Sequence, residues 1–81
     1  MLLFGTAQGA PADPAWCHNL RANPVVDVED GSERYTAEVF ELDVRRATEI
    51  VTRRARVSEQ LADYVTGAAP RVIPVFEVRR T

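Results

Sequence analysis

Two alternating apolar runs on either side of Asp30-Gly31 place the tightest constraint on how this 81-residue chain can fold. Residues 25–29 alternate with period two, and so do Tyr35, Ala37 and Val39 after the turn. An Asp-Gly pair between such runs marks a hairpin, because its central positions must accept positive φ. Residues 25–29 and 34–42 are therefore predicted to pair antiparallel. Within the second run the apolar residues change phase from Tyr35, Ala37 and Val39 to Phe40 and Leu42, which predicts a β-bulge.

The segments around this hairpin supply its cover. Asp43 is placed to cap a helix that carries Val44, Ala47, Ile50 and Val51 on one face, with Arg45, Arg46, Glu49, Arg53 and Arg54 mostly elsewhere. The helical pattern continues through Val57, Leu61, Tyr64 and Val65, with a break predicted near residues 56–58 and an end at Gly67 and Pro70. Residues 72–78 form the last predicted strand, and Pro74 inside it predicts an edge position or a bulge. At the other end, Met1 to Phe4 has the pattern of a short buried strand cut off at its beginning. Residues 5–14 are a loop with two Gly and two Pro among small residues. Asp13 before Pro14 predicts an N-cap with proline at the first helical position, and the short helix that follows runs to about Ala22 before Asn23-Pro24 stops it.

Composition narrows the function classes. A chain this short buries only about 60% of the surface its unfolded form exposes, so it belongs to one domain, residues 1–81, of marginal stability. The net charge of −2 gives no general basic footprint for nucleic acid. All ten basic residues are Arg, and the Arg-rich helix face is that of a solvated surface with local ion pairs. The lone Cys17 excludes an internal disulfide and points to a reducing, cytoplasmic compartment, while the lone His18 excludes a His-rich metal site. Met1 to Phe4 is too short for a signal peptide or a membrane span. Peripheral membrane contact is compatible with the chain.

On composition alone the Gly-containing loop is either a surface turn or a backbone cradle for a ligand, and Trp16 either anchors its helix in the core or packs beside a cofactor ring. The order of motifs bears on both. Thr6-Ala7-Gln8-Gly9-Ala10-Pro11, then Pro14-Ala15-Trp16-Cys17-His18-Asn19-Leu20-Arg21-Ala22-Asn23-Pro24, then Arg71-Val72-Ile73-Pro74-Val75 near the end, resemble the signature of the deazaflavin (F420)-dependent nitroreductase family, split-barrel flavin-like oxidoreductases. The resemblance covers nearly the whole chain. It implies an α+β fold, a small split β-barrel of the FMN-binding type with flanking helices. It also implies that the chain corresponds to the C-terminal part of a family member, without the front strands whose cations bind the cofactor's phosphate.

By the same resemblance, F420 contacts fall on Thr6, Gln8, Gly9, Pro14, Trp16 and Asn19, and Tyr64 touches substrate. The family's earlier pocket tyrosines correspond here to Ser58 and Leu61. The reaction implied is hydride transfer from reduced deazaflavin to a small-molecule electron acceptor, a quinone, enone or nitroaromatic compound, with a homodimer as the assembly and no metal. Cofactor chemistry of this kind asks for no acid/base dyad, so none is assigned. Two rivals stand beside it: a truncated, catalytically inactive barrel that serves as a binding or assembly module, and an oxidoreductase of the same barrel class that uses FMN.

Overall fold

The computed structural model describes residues 1–81. Four strands, β1 (Leu2–Phe4), β2 (Val25–Asp30), β3 (Glu33–Glu41) and β4 (Val75–Arg80), form one antiparallel sheet in the order β1-β4-β3-β2. Three helices, α1 (Ala15–Ala22), α2 (Val44–Ala55) and α3 (Glu59–Ala68), complete the α+β fold. The hairpin forms as predicted, with Val25 opposite Glu38 and Asp30 opposite Glu33, and Gly31 takes φ 62° at the turn.

Helices cover both faces of the sheet. On one side Cys17 of α1 packs with Val39 and Phe76, joined by Leu3, Leu20, Val26 and Val78. On the other, Ala47 and Val51 of α2 and Ala68 of α3 pack on Ile73 and Val75, joined by Leu2, Phe4, Leu42 and Leu61. The strand period of two distributes these contacts: Val75 faces α2 and α3, while Phe76 and Val78 face α1. Each buried Val or Phe side chain contributes about 1.5–3 kcal/mol through loss of apolar surface from water.

This two-sided burial explains the phase change in β3. The predicted bulge is absent, because the pairing of β3 with β2 and with β4 runs without an extra residue. Ala37 and Val39 turn toward α1, whereas Phe40 lies on the opposite face beneath the Arg79 guanidinium, 4.6 Å from its ring centre. Leu42 lies beyond the strand and joins the α2 cluster. The last strand also departs from expectation. It starts at Val75, one residue after Pro74, and is interior to the sheet, so Pro74 removes no ladder hydrogen bond. The carbonyl of Pro74 accepts instead from the Gly5 N–H at 2.9 Å.

The cap predicted at Asp43 forms, and a second one forms at Ser58. The Asp43 carboxylate accepts from the Arg46 N–H at 2.9 Å and the Ser58 hydroxyl from the Leu61 N–H at 3.2 Å, each worth about 1 kcal/mol to its helix. The break between α2 and α3 falls at residues 56–58 as predicted. No helix is long and apolar enough to cross a membrane.

Candidate functional site

The loop between β1 and α1 has an unusual backbone. Thr6 is right-handed, with φ −74° and ψ −32°, and the next three residues, Ala7, Gln8 and Gly9, all take positive φ at 46°, 54° and 81°. For Ala7 and Gln8 the left-handed region costs about 1–2 kcal/mol each, since Cβ crowds the following carbonyl. The turn is closed by Gly9 N–H to Thr6 O at 2.8 Å and Ala10 N–H to Ala7 O at 3.0 Å. The N–H groups of Thr6, Ala7 and Gln8 find no acceptor within the chain. A right-handed residue followed by a left-handed one turns successive N–H groups into a shared concavity, a backbone geometry suited to an anion or a row of carbonyl oxygens.

Arg71 supports this turn from behind. Its five N–H donors are all used: Nη1 donates to Gly5 O at 2.9 Å and to Asp13 Oδ1 at 2.8 Å, Nη2 to Thr6 O and Ala10 O at 2.9 Å each, and Nε to Ala10 O at 3.1 Å. Asp13 is shared. Its Oδ2 lies 3.1 Å from Arg21 Nη2, and Arg21 in turn makes a two-pronged hydrogen bond to Glu41 at 2.9 Å in each arm. Four alternating charges thus tie the loop, α1, β3 and the approach to β4 together.

Asp13 is therefore not the helix cap predicted for it. Pro14 occupies the N-cap position of α1, with the helix starting at Ala15, because the Asp13 carboxylate is engaged by two guanidinium groups. Burial alone would raise its pKa, but the hydrogen bonds from Arg71 and Arg21 outweigh burial and hold the carboxyl below its ordinary value of 3.8. A carboxyl whose pKa is depressed on folding contributes stability above its unfolded pKa and loses it as pH falls through the folded one. Wild-type chain is thus expected to lose stability below about pH 3.8 more steeply than Asp13→Asn, as read by urea midpoints between pH 5 and pH 2.

The turn meets α3. Gly9 packs so closely that an added Cβ would lie 3.4 Å from the Tyr64 Cα and carbonyl oxygen, and a Cβ on Gly67 would lie 3.1 Å from Gly9 O. Thr6 and Tyr64 line one open cleft of about 450 Å³, walled by Leu2, Phe4 and Leu61, with Arg54 over the Phe4 ring at 5.2 Å. The structure thus brings together Thr6, Gly9 and Tyr64, with Gln8 exposed on the same turn. Ser58 lines this cleft as well, its hydroxyl committed to capping α3.

The remaining predicted contacts lie on α1. Trp16 is 38% exposed and tilts against Phe76, ring centres 5.7 Å apart, so its indole both anchors the helix and keeps a face in solvent. Asn19 is exposed and Pro14 half-buried, and none of the three lines the Tyr64 cleft. Cys17 is fully buried, and burial, helped by Asp13 and Glu41, pushes its thiol up, consistent with an inert packing residue. Sequence reasoning missed Asp13, Arg71 and the Ala7 N–H. Arg71 was visible only as part of a motif, and a positive φ at alanine leaves no mark in the sequence.

Comparison with known proteins places this geometry. No curated protein matches the chain at a significant level. A solved structure described as a domain-swapped dimer aligns with a TM-score of 0.75 at 29% identity, over 96% of this chain and 58% of its own, which bears out the α+β split-barrel-like architecture. This chain spans a little over half the length of that protein. A family model described as F420H(2)-dependent quinone reductase matches residues 1–79, and so takes in the turn, its Arg71 support and Tyr64. With nearly every residue aligned to that model, the chain belongs to the F420H(2)-dependent quinone reductase family, whose cofactor is F420.

Proposed function

We propose that residues 1–81 form one domain that holds F420 against the turn at residues 6–9 and reduces a small quinone-like acceptor beside Tyr64. The observation that carries this reading is the row of unpaired N–H groups at Thr6, Ala7 and Gln8, set in the same turn that packs on α3 at Tyr64. A deazaflavin ring presents carbonyl and ring-nitrogen acceptors along one edge, which such a row complements. Arg71 has no donor left for a phosphate, and residues 5–14 contain no cation. The residues present therefore suit the ring edge of F420 better than its phosphate. Bound in its reduced form, F420 supplies a hydride.

The chain's own residues position and enclose. Thr6, Gln8 and Gly9 offer backbone contact, with Gly9 permitting close approach, and the Thr6 hydroxyl and Gln8 amide add polar reach. Pro14, Trp16 and Asn19 extend the surface along α1, where the exposed face of the indole is suited to flat apolar groups. Leu2, Phe4 and Leu61 give the cleft an apolar wall, and Tyr64 orients the acceptor, which we take to be a quinone, with enones and nitroaromatics as further candidates. A homodimer belongs to this reading: the outer edges of β1 and β2 are unpaired, and the aligned solved structure is described as a domain-swapped dimer.

Titration of the folded 81-residue chain with F420, with FMN as control, tests the proposal. Saturable binding of F420 in preference to FMN is expected, followed by reoxidation of F420H2 on addition of a simple benzoquinone. Tyr64→Ala should raise the KM for that quinone about tenfold, the loss of one aromatic contact, while leaving F420 affinity in place. A folded chain that binds neither cofactor would reject the proposal and leave the assembly module as the better reading.

A further inference from the structure

The carbonyls around Arg71 have a consequence for the opposite side of the turn. A trans peptide unit points its C=O and N–H in opposite directions. Gly5 O and the Thr6 N–H belong to one such unit, and Thr6 O and the Ala7 N–H to the next. Drawing Gly5 O and Thr6 O onto the guanidinium therefore turns the Thr6 and Ala7 N–H groups away from it. Only a planar group with five donors can hold these carbonyls, Ala10 O and Asp13 together, and a lysine, with three donors on one nitrogen, cannot. Asp13 sets the guanidinium plane by binding Nη1, and Arg21 holds Asp13 from its other oxygen. The Arg71 side chain is 11% exposed, so little water competes for these bonds.

We infer that Arg71, held by Asp13, is a positioning residue that aims the Thr6 and Ala7 N–H groups at the ligand, and that this pair governs the loop's competence to bind. That the ligand is F420 rests on the function proposed above; the aiming of the N–H groups does not. Positive φ at Ala7 and Gln8 fits this role, since an unheld loop would relax to the right-handed or extended region and scatter the row.

The experiment follows the amide signals of Thr6, Ala7 and Gln8 by nitrogen-15 NMR, and the F420 dissociation constant, in the full chain and in Arg71→Lys, Asp13→Asn and Val26→Ala. Val26 lies on β2, at the edge of the sheet opposite β1, and packs on the α1 side, so it serves as a control for simple destabilisation. Arg71→Lys is expected to fold, to displace the Thr6 and Ala7 amide signals and speed their exchange, and to weaken F420 binding about tenfold or more. Asp13→Asn should act in the same direction, by about threefold. Val26→Ala should lower Tm yet leave these amide signals in place and F420 affinity within about twofold. A folded Arg71→Lys chain with wild-type Thr6 and Ala7 signals would overturn the inference. Should Arg71→Lys fail to fold, unshifted signals in Asp13→Asn would overturn it equally. If the wild-type chain binds no F420, the functional reading fails while the amide signals still decide the role of Arg71.

Discussion

Phe76→Ala is expected to destabilise the chain by about 3–5 kcal/mol, the usual cost of emptying a fully buried aromatic site. Phe76 is 1% exposed on interior strand β4 and packs with Cys17 and Val39, with the Trp16 ring 5.7 Å away and the Arg21 guanidinium 5.8 Å from its centre. One substitution thus opens a cavity and loosens α1 together with the Asp13–Arg21–Glu41 connection. A domain of this length has about 4–12 kcal/mol of stability in total, so the loss is a large share of it. Urea unfolding followed by far-UV circular dichroism gives the value. Val25→Ala, at a 57% exposed position of β2, should change the midpoint by less than about 0.5 kcal/mol. Equal effects of the two would mean that the α1 face of the sheet is not a packed core.

Gly5→Ala should cost about 3 kcal/mol, at the upper end for overpacking by one methyl group. Its Cβ would lie 2.6 Å from Cys17 Sγ and 2.7 Å from Pro74 Cγ, and neither neighbour has room, since Cys17 and Pro74 are both buried. Relief requires the backbone to move, and Gly5 is fixed at both of its polar atoms, N–H to Pro74 O and carbonyl to Arg71. The same shift would disturb the turn at residues 6–9. Gly31→Ala offers the contrast: its Cβ would meet nothing within 4 Å, so only the φ of 62° opposes it, at about 1–2 kcal/mol. In a double-mutant cycle, Cys17→Ala should recover part of the Gly5→Ala loss and Pro74 should retain the rest. Strict additivity of Gly5→Ala and Cys17→Ala would show that the sulfur is not the obstacle.

Family membership was legible because its signal lies in short motifs with fixed spacing, and the match over residues 1–79 agrees with that reading. The candidate site was legible in part. Thr6, Gly9 and Tyr64 do come together, because Gly9 and Gly67 let the turn rest on α3. Trp16 and Asn19 stand apart on α1, a separation that a motif read along the chain does not convey. The predicted bulge at Phe40 failed for a related reason. Alternation identifies one buried face, and β3 carries apolar residues on both, with Phe40 sheltered by an arginine from the neighbouring strand.

By itself the sequence determined the hairpin and its turn, the cap at Asp43, the break between α2 and α3 and the small-residue character of the loop. Each of these depends on residues within a few positions of one another, where side-chain size, φ preference and local hydrogen bonds act directly. Tertiary structure alone decided the strand order β1-β4-β3-β2, the interior place of β4, and the diversion of Asp13 from helix cap to partner of Arg71. It also decided the direction of the Thr6 and Ala7 N–H groups, through a guanidinium 65 positions from Thr6 in the chain. Such features rest on donors and acceptors that meet only after the sheet has closed, so the backbone conformation they impose has no local cause to read.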